Sequence, residues 1–262
     1  MSRVEEVLDD LLLEGDRLEA LVADLPEGPG GWRSPTPAEG WTVAHQVAHL
    51  AWTDEAALAA CNDLGAWDEL VTSALSAPDR FVDVAAEHGA AAAAHELLER
   101  WRAGRDALAA ALRAVPEGTR LPWFGPAMSV TSMATARFME TWAHAQDVAD
   151  GLGVTLEPDD RVRHVVHLGV RTRDFAYRNR GLEPPAEAFR VSLRLPGGDL
   201  VEYGPPDARA SVTGSAQDFA LVVTQRRHLS ETDLEASGAD AAHWLQVAQA
   251  FAGPPGPGRA PR

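Results

Sequence analysis

Lysine is missing from this chain: all 23 basic side chains are arginine. Against them stand 39 acids, which sets the formal charge at −16. That sign argues against broad nucleic-acid binding, which runs on basic patches that neutralise phosphates. Cysteine is almost missing as well. Cys61 alone excludes an intramolecular disulfide and any cysteine-based zinc cluster. Long apolar runs are missing too; none approaches the roughly 20 residues of a membrane span. The opening MSRVEEVLDDLLLEGD interleaves acids with its leucines and lacks the form of a signal peptide. The expectation is a cytoplasmic globular protein with no nucleic-acid or membrane partner. Nothing in the sequence sets its oligomeric state. Without lysine, a carboxylate on any substrate must be met by arginine or by a metal.

The 262 residues are enough for one large domain or two ordinary ones. Residues 4–25 place Leu8, Leu11, Leu18, Leu21 and Leu25 at helical spacing. A Pro/Gly-rich connection follows, and Thr42 then offers an N-cap for a helix to about Asn62. A short helix is expected over 66–76 and one long Ala-rich helix from Asp83 to Val115. LPWFGPAM reads as a loop, and Ser129 or Ser132 caps a helix to about Leu152. Past Pro158, a helix over 159–180 precedes a change to period two at Phe189, Val191, Leu193 and Leu195. The turn at Pro196-Gly197-Gly198 makes a hairpin. A third strand, a Ser215-capped helix, a short strand and a helix from Ala239 to Ala252 follow. The fold class is therefore multi-domain, α and α+β: a four-helix bundle over 1–155, a smaller unit with an antiparallel sheet and helices over 156–252, and a disordered tail over 253–262.

The helix from 129 to 152 carries the strongest chemical signal. Glu140, His144 and Asp147 fall within about 60° of one another on a helical wheel. Glu-x-x-x-His at i,i+4 aims a carboxylate oxygen and an imidazole nitrogen at one place, as a divalent ion requires. The competing reading makes Phe138, Trp142 and Leu152 the core stripe and Glu140/His144 a surface pair. In GWTVAHQVAHLAW, His45 and His49 are also at i,i+4, and either can face the bundle interior. His45 lies in the first turn, where the helix dipole disfavours positive charge. His49 lies deeper and is either a ligand or a hydrogen-bonded core histidine. Asp147 could hold the outer N–H of a metal-bound imidazole. Arg137, one turn before Glu140, could pair with that carboxylate or touch substrate.

GWTVAHQVAHL followed by METWAHAQDVADGLG resembles the DinB-like metalloprotein superfamily, and within it the mycothiol-dependent maleylpyruvate isomerase branch. The resemblance spans residues 1–155 through these two motifs and the remainder more loosely. It implies a DinB-like four-helix bundle joined to a small α+β domain. It also implies a divalent ion held by His49, Glu140 and His144, with a position left for water or substrate. A two-histidine, one-carboxylate set suits zinc first, and also iron, nickel or manganese. In that branch an arginine of the C-terminal domain serves the site from a Gly…Gly-Arg-like motif closing a helix. Here QDFALVVTQRR offers Arg226 as the catalytic arginine, with Gln225 where the branch tends to have glycine. The plainer reading of Arg226 and Arg227 is that they complement a helix C-terminus.

The branch implies a mycothiol-like thiol cofactor and a small-molecule substrate. A thiolate generated at the ion adds to an electrophilic carbon; keeping the C–S bond gives S-transfer, and elimination after rotation gives cis–trans isomerisation. Two other readings stand beside it. One is a thiol-independent lyase, isomerase or hydrolase of a specialised pathway. The other is a non-catalytic metal- or ligand-binding protein.

Overall fold

The computed structural model describes residues 2–256 and 258–261. It divides into two compact units, 1–156 and 157–262.

In the first unit, α1 (Arg3–Val22) starts where the Ser2 side chain accepts a bond from the Glu5 amide. It buries Leu8, Leu11 and Leu18. α2 (Val43–Asn62) follows Thr42, and α3 (Leu64–Ser76) is capped by Asp63. The single helix expected from Asp83 to Val115 is in fact two, α4 (Phe81–Ala90) and α5 (Ala94–Ala114). The break has a tertiary cause. Glu27 accepts the Ala94 amide at 3.0 and 3.2 Å, capping α5 from the distant Pro/Gly loop. Arg33 donates to the carbonyls of Ala90 and Ala92. The expected α5 stripe of Leu97, Leu98, Trp101, Leu108 and Leu112 is buried.

The LPWFGPAM loop is flanked by a two-rung hairpin, β1 (Arg120–Leu121) with β2 (Met128–Ser129). α6 (Val130–Leu152) begins where the Ser129 hydroxyl accepts the Ser132 amide at 3.1 Å and ends at Gly153, φ +69°. The four long helices α1, α2, α5 and α6 enclose the core.

In the second unit, the helix expected over 159–180 is a 3₁₀ turn (Asp160–Val162) followed by α7 (Arg163–Arg171) and α8 (Arg173–Asn179). Thr172 separates the two helices, its hydroxyl bonded back to Leu168 O at 3.0 Å. Then come β3 (Phe189–Arg194), β4 (Leu200–Tyr203), β5 (Ala210–Ser215), α9 (Ala216–Val223), β6 (Glu235–Ser237) and α10 (Ala239–Val247). The sheet order is β4-β3-β5-β6. Its outer pairs are antiparallel as expected, but β3 and β5 run parallel. The connection 204–209 passes the start of β3, where Gly204 lies against Phe189 O, and enters on the far side in the same direction. A Cβ at Gly204 would stand 1.9 Å from that oxygen. α10 stops at Val247, short of the expected Ala252. Within 253–262, Pro257 and Arg262 lie outside the described residues; the carbonyls of Gly253 and Gly256 accept bonds from Asn179 and Arg180. No described helix is long and apolar enough to cross a membrane.

Candidate metal centre

The Pro/Gly connection leads into α2 through a bridge between Pro35 and Thr42. Thr42 then stops being a free terminus: its amide donates to His45 Nδ1 at 3.3 Å, and its hydroxyl contacts the same nitrogen at 2.8 Å. His45 is thus the reciprocal partner in a capping box, and burial lowers its pKa. The spacing that made His45 a rival to His49 is spent on the cap.

One turn further, His49 points at α6. His49 Nε2 lies 3.5 Å from Glu140 Oε2, and His144 Nε2 lies 3.2 Å from the same oxygen. The two imidazole centroids are 4.6 Å apart. One ligand atom from each of His49, Glu140 and His144 falls within 4.8 Å of the others. Glu140 keeps 22 % of its side chain exposed, against 10 % and 9 % for the histidines, so access runs over the carboxylate. Burial pushes the Glu140 pKa up, but hydrogen bonds and charge from His144 and His49 hold it well below the usual carboxylate range. The carboxylate is therefore ionised at neutral pH.

The surface-pair reading of Glu140 and His144 fails on burial. Phe138, Trp142, Ala145 and Val148 are buried, but so are Thr141, His144 and Asp147. A helix enclosed on both faces cannot leave its polar stripe to solvent.

Whether these residues suit a divalent ion is decided by the nitrogens. His144 Nδ1 is bonded to the Gln46 side-chain carbonyl, which must accept, so Nδ1 carries a proton and Nε2 is the nitrogen turned to Glu140 and free to give its lone pair to an ion in place of a proton. Gln46 is held in that sense: its Nε2 donates to Thr36 Oγ1 at 2.8 Å, and that hydroxyl donates to Trp41 O at 2.9 Å. His49 Nδ1 is buried and meets no partner among the described residues. The donor set, one ionised carboxylate with two imidazoles converging on it, fits a divalent ion.

The other candidates are placed differently. Arg137 does not pair with Glu140; its Nε donates to Asp54 Oδ1 at 2.9 Å, both side chains being buried. Asp147 is buried on the same helix, but the outer nitrogen of His144 goes to Gln46. Arg226 belongs to the second unit, just after α9, where its Nη1 donates to Thr224 O at 2.7 Å. Gln225 before it has φ +59°, the one positive φ outside glycine among the described residues. Glycine takes that conformation freely, and glutamine does not.

Sequence reasoning missed Gln46 and Asp54. Gln46 carried a usable signal, a lone amide three positions before His49 and so on the same helical face. Asp54 carried none, because its partner is recognisable only once α2 and α6 are packed.

Residues 11–149 match the family described as the mycothiol maleylpyruvate isomerase N-terminal domain. Proteins from two strains of Mycobacterium tuberculosis, both described as uncharacterized, are 56 % identical over 250 residues, covering 95 % of this chain and 96 % of theirs. The crystal structure of a mycothiol-dependent maleylpyruvate isomerase is similar at a TM-score of 0.58 with 19 % identity, over 89 % of this chain and 92 % of that one. A histidine-to-alanine mutant of such an isomerase gives 0.59 with 18 % identity over the same shares. At that identity the likeness is one of fold.

Proposed function

This chain belongs to the mycothiol maleylpyruvate isomerase N-terminal domain family, and from that membership we propose that it is a divalent-metal enzyme activating a small, mycothiol-like thiol for addition to an electrophilic small molecule. The reaction is S-transfer or cis–trans isomerisation. The observation that carries the proposal is the convergence of His49, Glu140 and His144 within 4.8 Å.

His49 and His144 would each offer Nε2 and Glu140 one carboxylate oxygen, with zinc the first choice of ion and iron, nickel or manganese compatible with the donors. A bound divalent ion lowers the pKa of a thiol and so supplies a nucleophile at neutral pH. The protein's own part is to keep its donors in the right protonation state. Glu140 is held ionised, and Gln46 holds the His144 proton on Nδ1. In the addition, the thiol proton leaves, the sulfur pair forms a C–S bond at the electrophilic carbon, and the π pair moves onto the conjugated carbonyl oxygen. Reversal after rotation isomerises the double bond; protonation at carbon retains the thioether. We assign Arg226 of the second unit the role of catalytic arginine that the resemblance implies.

The test is elemental analysis of protein purified without added metal, alongside His144→Ala. About one divalent ion per chain is expected in the parent and none in the variant. Equal metal content in the two would overturn the metal assignment. Turnover at full rate without thiol would overturn the thiol assignment and leave a metal-only enzyme.

A further inference from the structure

We propose that the aromatic wall beside His49 and His144 makes this site select an electrophile with an aromatic body over a small dicarboxylate. The inference rests on the metal-and-thiol reading above and adds the substrate class to it.

The wall starts at the ligands. The Trp41 ring centroid is 5.5 Å from that of His49 and stacks on His144 at 6.1 Å. Trp52, one turn past His49 on α2, is 6.2 Å from the His49 ring. From Trp52 the rings continue: Phe124 stacks on it at 5.9 Å, Phe81 meets it edge-on at 5.9 Å, and Phe81 and Phe124 are 5.5 Å apart. Trp67 closes the far end, 4.9 Å from Phe124.

The far end, Trp67 with Phe124 against it, packs on Ala56, Ala59 and Ala60 as core, but two features mark out the part nearer the ligands. First, Trp41, Trp52, Phe81 and Phe124 are only partly buried, whereas Trp32, Trp101 and Trp142 of the same unit are 2 % exposed or less. Trp41 and Trp52, half-covered beside the ligating histidines, offer apolar area to a ligand, and Phe81 and Phe124 extend it. Second, the four rings come from four segments: the connection before α2, α2 itself, the start of α4 and the β1–β2 loop. The buried stripe of a single amphipathic helix does not account for them.

The charges point the same way. A small dicarboxylate asks for an arginine beside the ion, and the arginines of this unit next to the wall and the ligands already have acids. Arg80, beside Phe81, is paired with Glu87 at 3.0 Å, and Arg137, one turn before Glu140, with Asp54 at 2.9 Å. The polar edge of Trp41 is turned to an acid, its Nε1 donating to Asp83 Oδ1 at 3.1 Å. An aromatic electrophile needs none of these cations. With 1-chloro-2,4-dinitrobenzene, for example, the thiolate forms a C–S bond at the ring carbon. The C–Cl bond breaks, chloride leaves with its electron pair, and the thiol proton goes to solvent.

The experiment is calorimetric titration of the full chain with 1,3-dinitrobenzene, an unreactive ring, and with maleate. Rates with 1-chloro-2,4-dinitrobenzene and with maleylpyruvate in the presence of mycothiol are measured in parallel. Dinitrobenzene is expected to bind at least tenfold tighter than maleate. Trp52→Ala is expected to weaken dinitrobenzene about tenfold while maleate affinity, metal content and far-UV circular dichroism stay as in the parent. Phe124→Leu, which keeps apolar volume and removes a ring, gives the same reading should Trp52→Ala fail to fold. Maleate binding as tightly as dinitrobenzene, or both ligands weakened equally, would overturn the proposal. The two levels separate cleanly. Protein that purifies without a divalent ion and takes up none, yet prefers dinitrobenzene, sinks the metal reading and keeps the wall. Metal-loaded, thiol-dependent enzyme that prefers the dicarboxylate does the reverse.

Discussion

Gln46 and His144, 98 residues apart in sequence, are joined by a hydrogen bond from the imidazole Nδ1 to the amide carbonyl across α2 and α6. The bond fixes the ring's tautomer and its rotation, so the reach of Nε2 toward Glu140 depends on a residue that is no ligand. Partners of this kind are worth about 10–100-fold in metal affinity. Gln46→Leu should lower zinc affinity by that factor in competition with a chromophoric chelator, with secondary structure unchanged. Gln46→Glu, which still accepts from Nδ1, should keep affinity within a few-fold of the parent. Equal affinities for the Leu variant and the parent would remove Gln46 from the site.

Arg137 and Asp54 make a buried pair at 1 % and 4 % side-chain exposure. Burial raises the Asp54 pKa, and the guanidinium beside it pulls the other way. Arg137→Met strips that counterweight and should cost about 3–5 kcal/mol, since one charge is left alone in the bundle. Asp54→Leu added to it should recover most of the loss. The pH dependence has a definite sign. With its folded pKa raised, Asp54 favours folding below the unfolded value of about 3.9 and loses that contribution as pH rises through the folded one. The deficit of Arg137→Met in urea midpoint should therefore shrink between pH 7 and pH 4. A deficit independent of pH would assign the loss to packing alone.

How much of this was legible beforehand follows from what is local. Glu140 and His144 share a helix, so spacing alone put them on one face, and Ser129, Thr42 and Ser215 marked helix starts through their own side chains. The alternation at Phe189, Val191 and Leu193 likewise showed a half-buried strand. What stayed hidden depends on partners far along the chain. The α4–α5 break is made by Glu27 and Arg33, and a run of alanines gives no hint of it. The parallel β3–β5 pairing is set by the path of 204–209 past Gly204, not by either strand's pattern. His45 and His49 have equal claims by spacing; only the cap formed with Thr42 separates them.

Cys61 is half-buried near the end of α2, and burial pushes its thiol up to about 11. Against a free thiol at about 8.5, that leaves at least about 100-fold less thiolate at pH 7.5. Native protein should therefore react with iodoacetamide about 100-fold more slowly than the urea-unfolded chain. Cys61→Ala should leave thiol-dependent turnover intact, because a reacting sulfur would have to arrive with the cofactor. Fast native labelling, or lost turnover in Cys61→Ala, would give the protein's own thiol a role that its surroundings argue against.

Gln225 occupies left-handed backbone, φ +59°, immediately before Arg226. That conformation costs a non-glycine residue about 1–2 kcal/mol. The partial return is a long hydrogen bond, 3.4 Å from its Nε2 to Ala248 O. Gln225→Gly relieves the strain but frees the unfolded chain by about 0.5–1 kcal/mol, so its net effect on melting should be small. Gln225→Val cannot relieve it, because a β-branched side chain is a genuine outlier there, and should fall about 1–2 kcal/mol below Gln225→Gly by calorimetry. The comparison also bears on Arg226. The same turn sets where its backbone leaves α9, with the Arg226 amide bonded to Leu221 O at 2.7 Å. If Arg226 is the catalytic arginine, Gln225→Val should lower kcat more than it raises KM, and Gln225→Gly should not. Turnover that simply tracks stability across the two variants would return Arg226 to the simpler role of closing a helix.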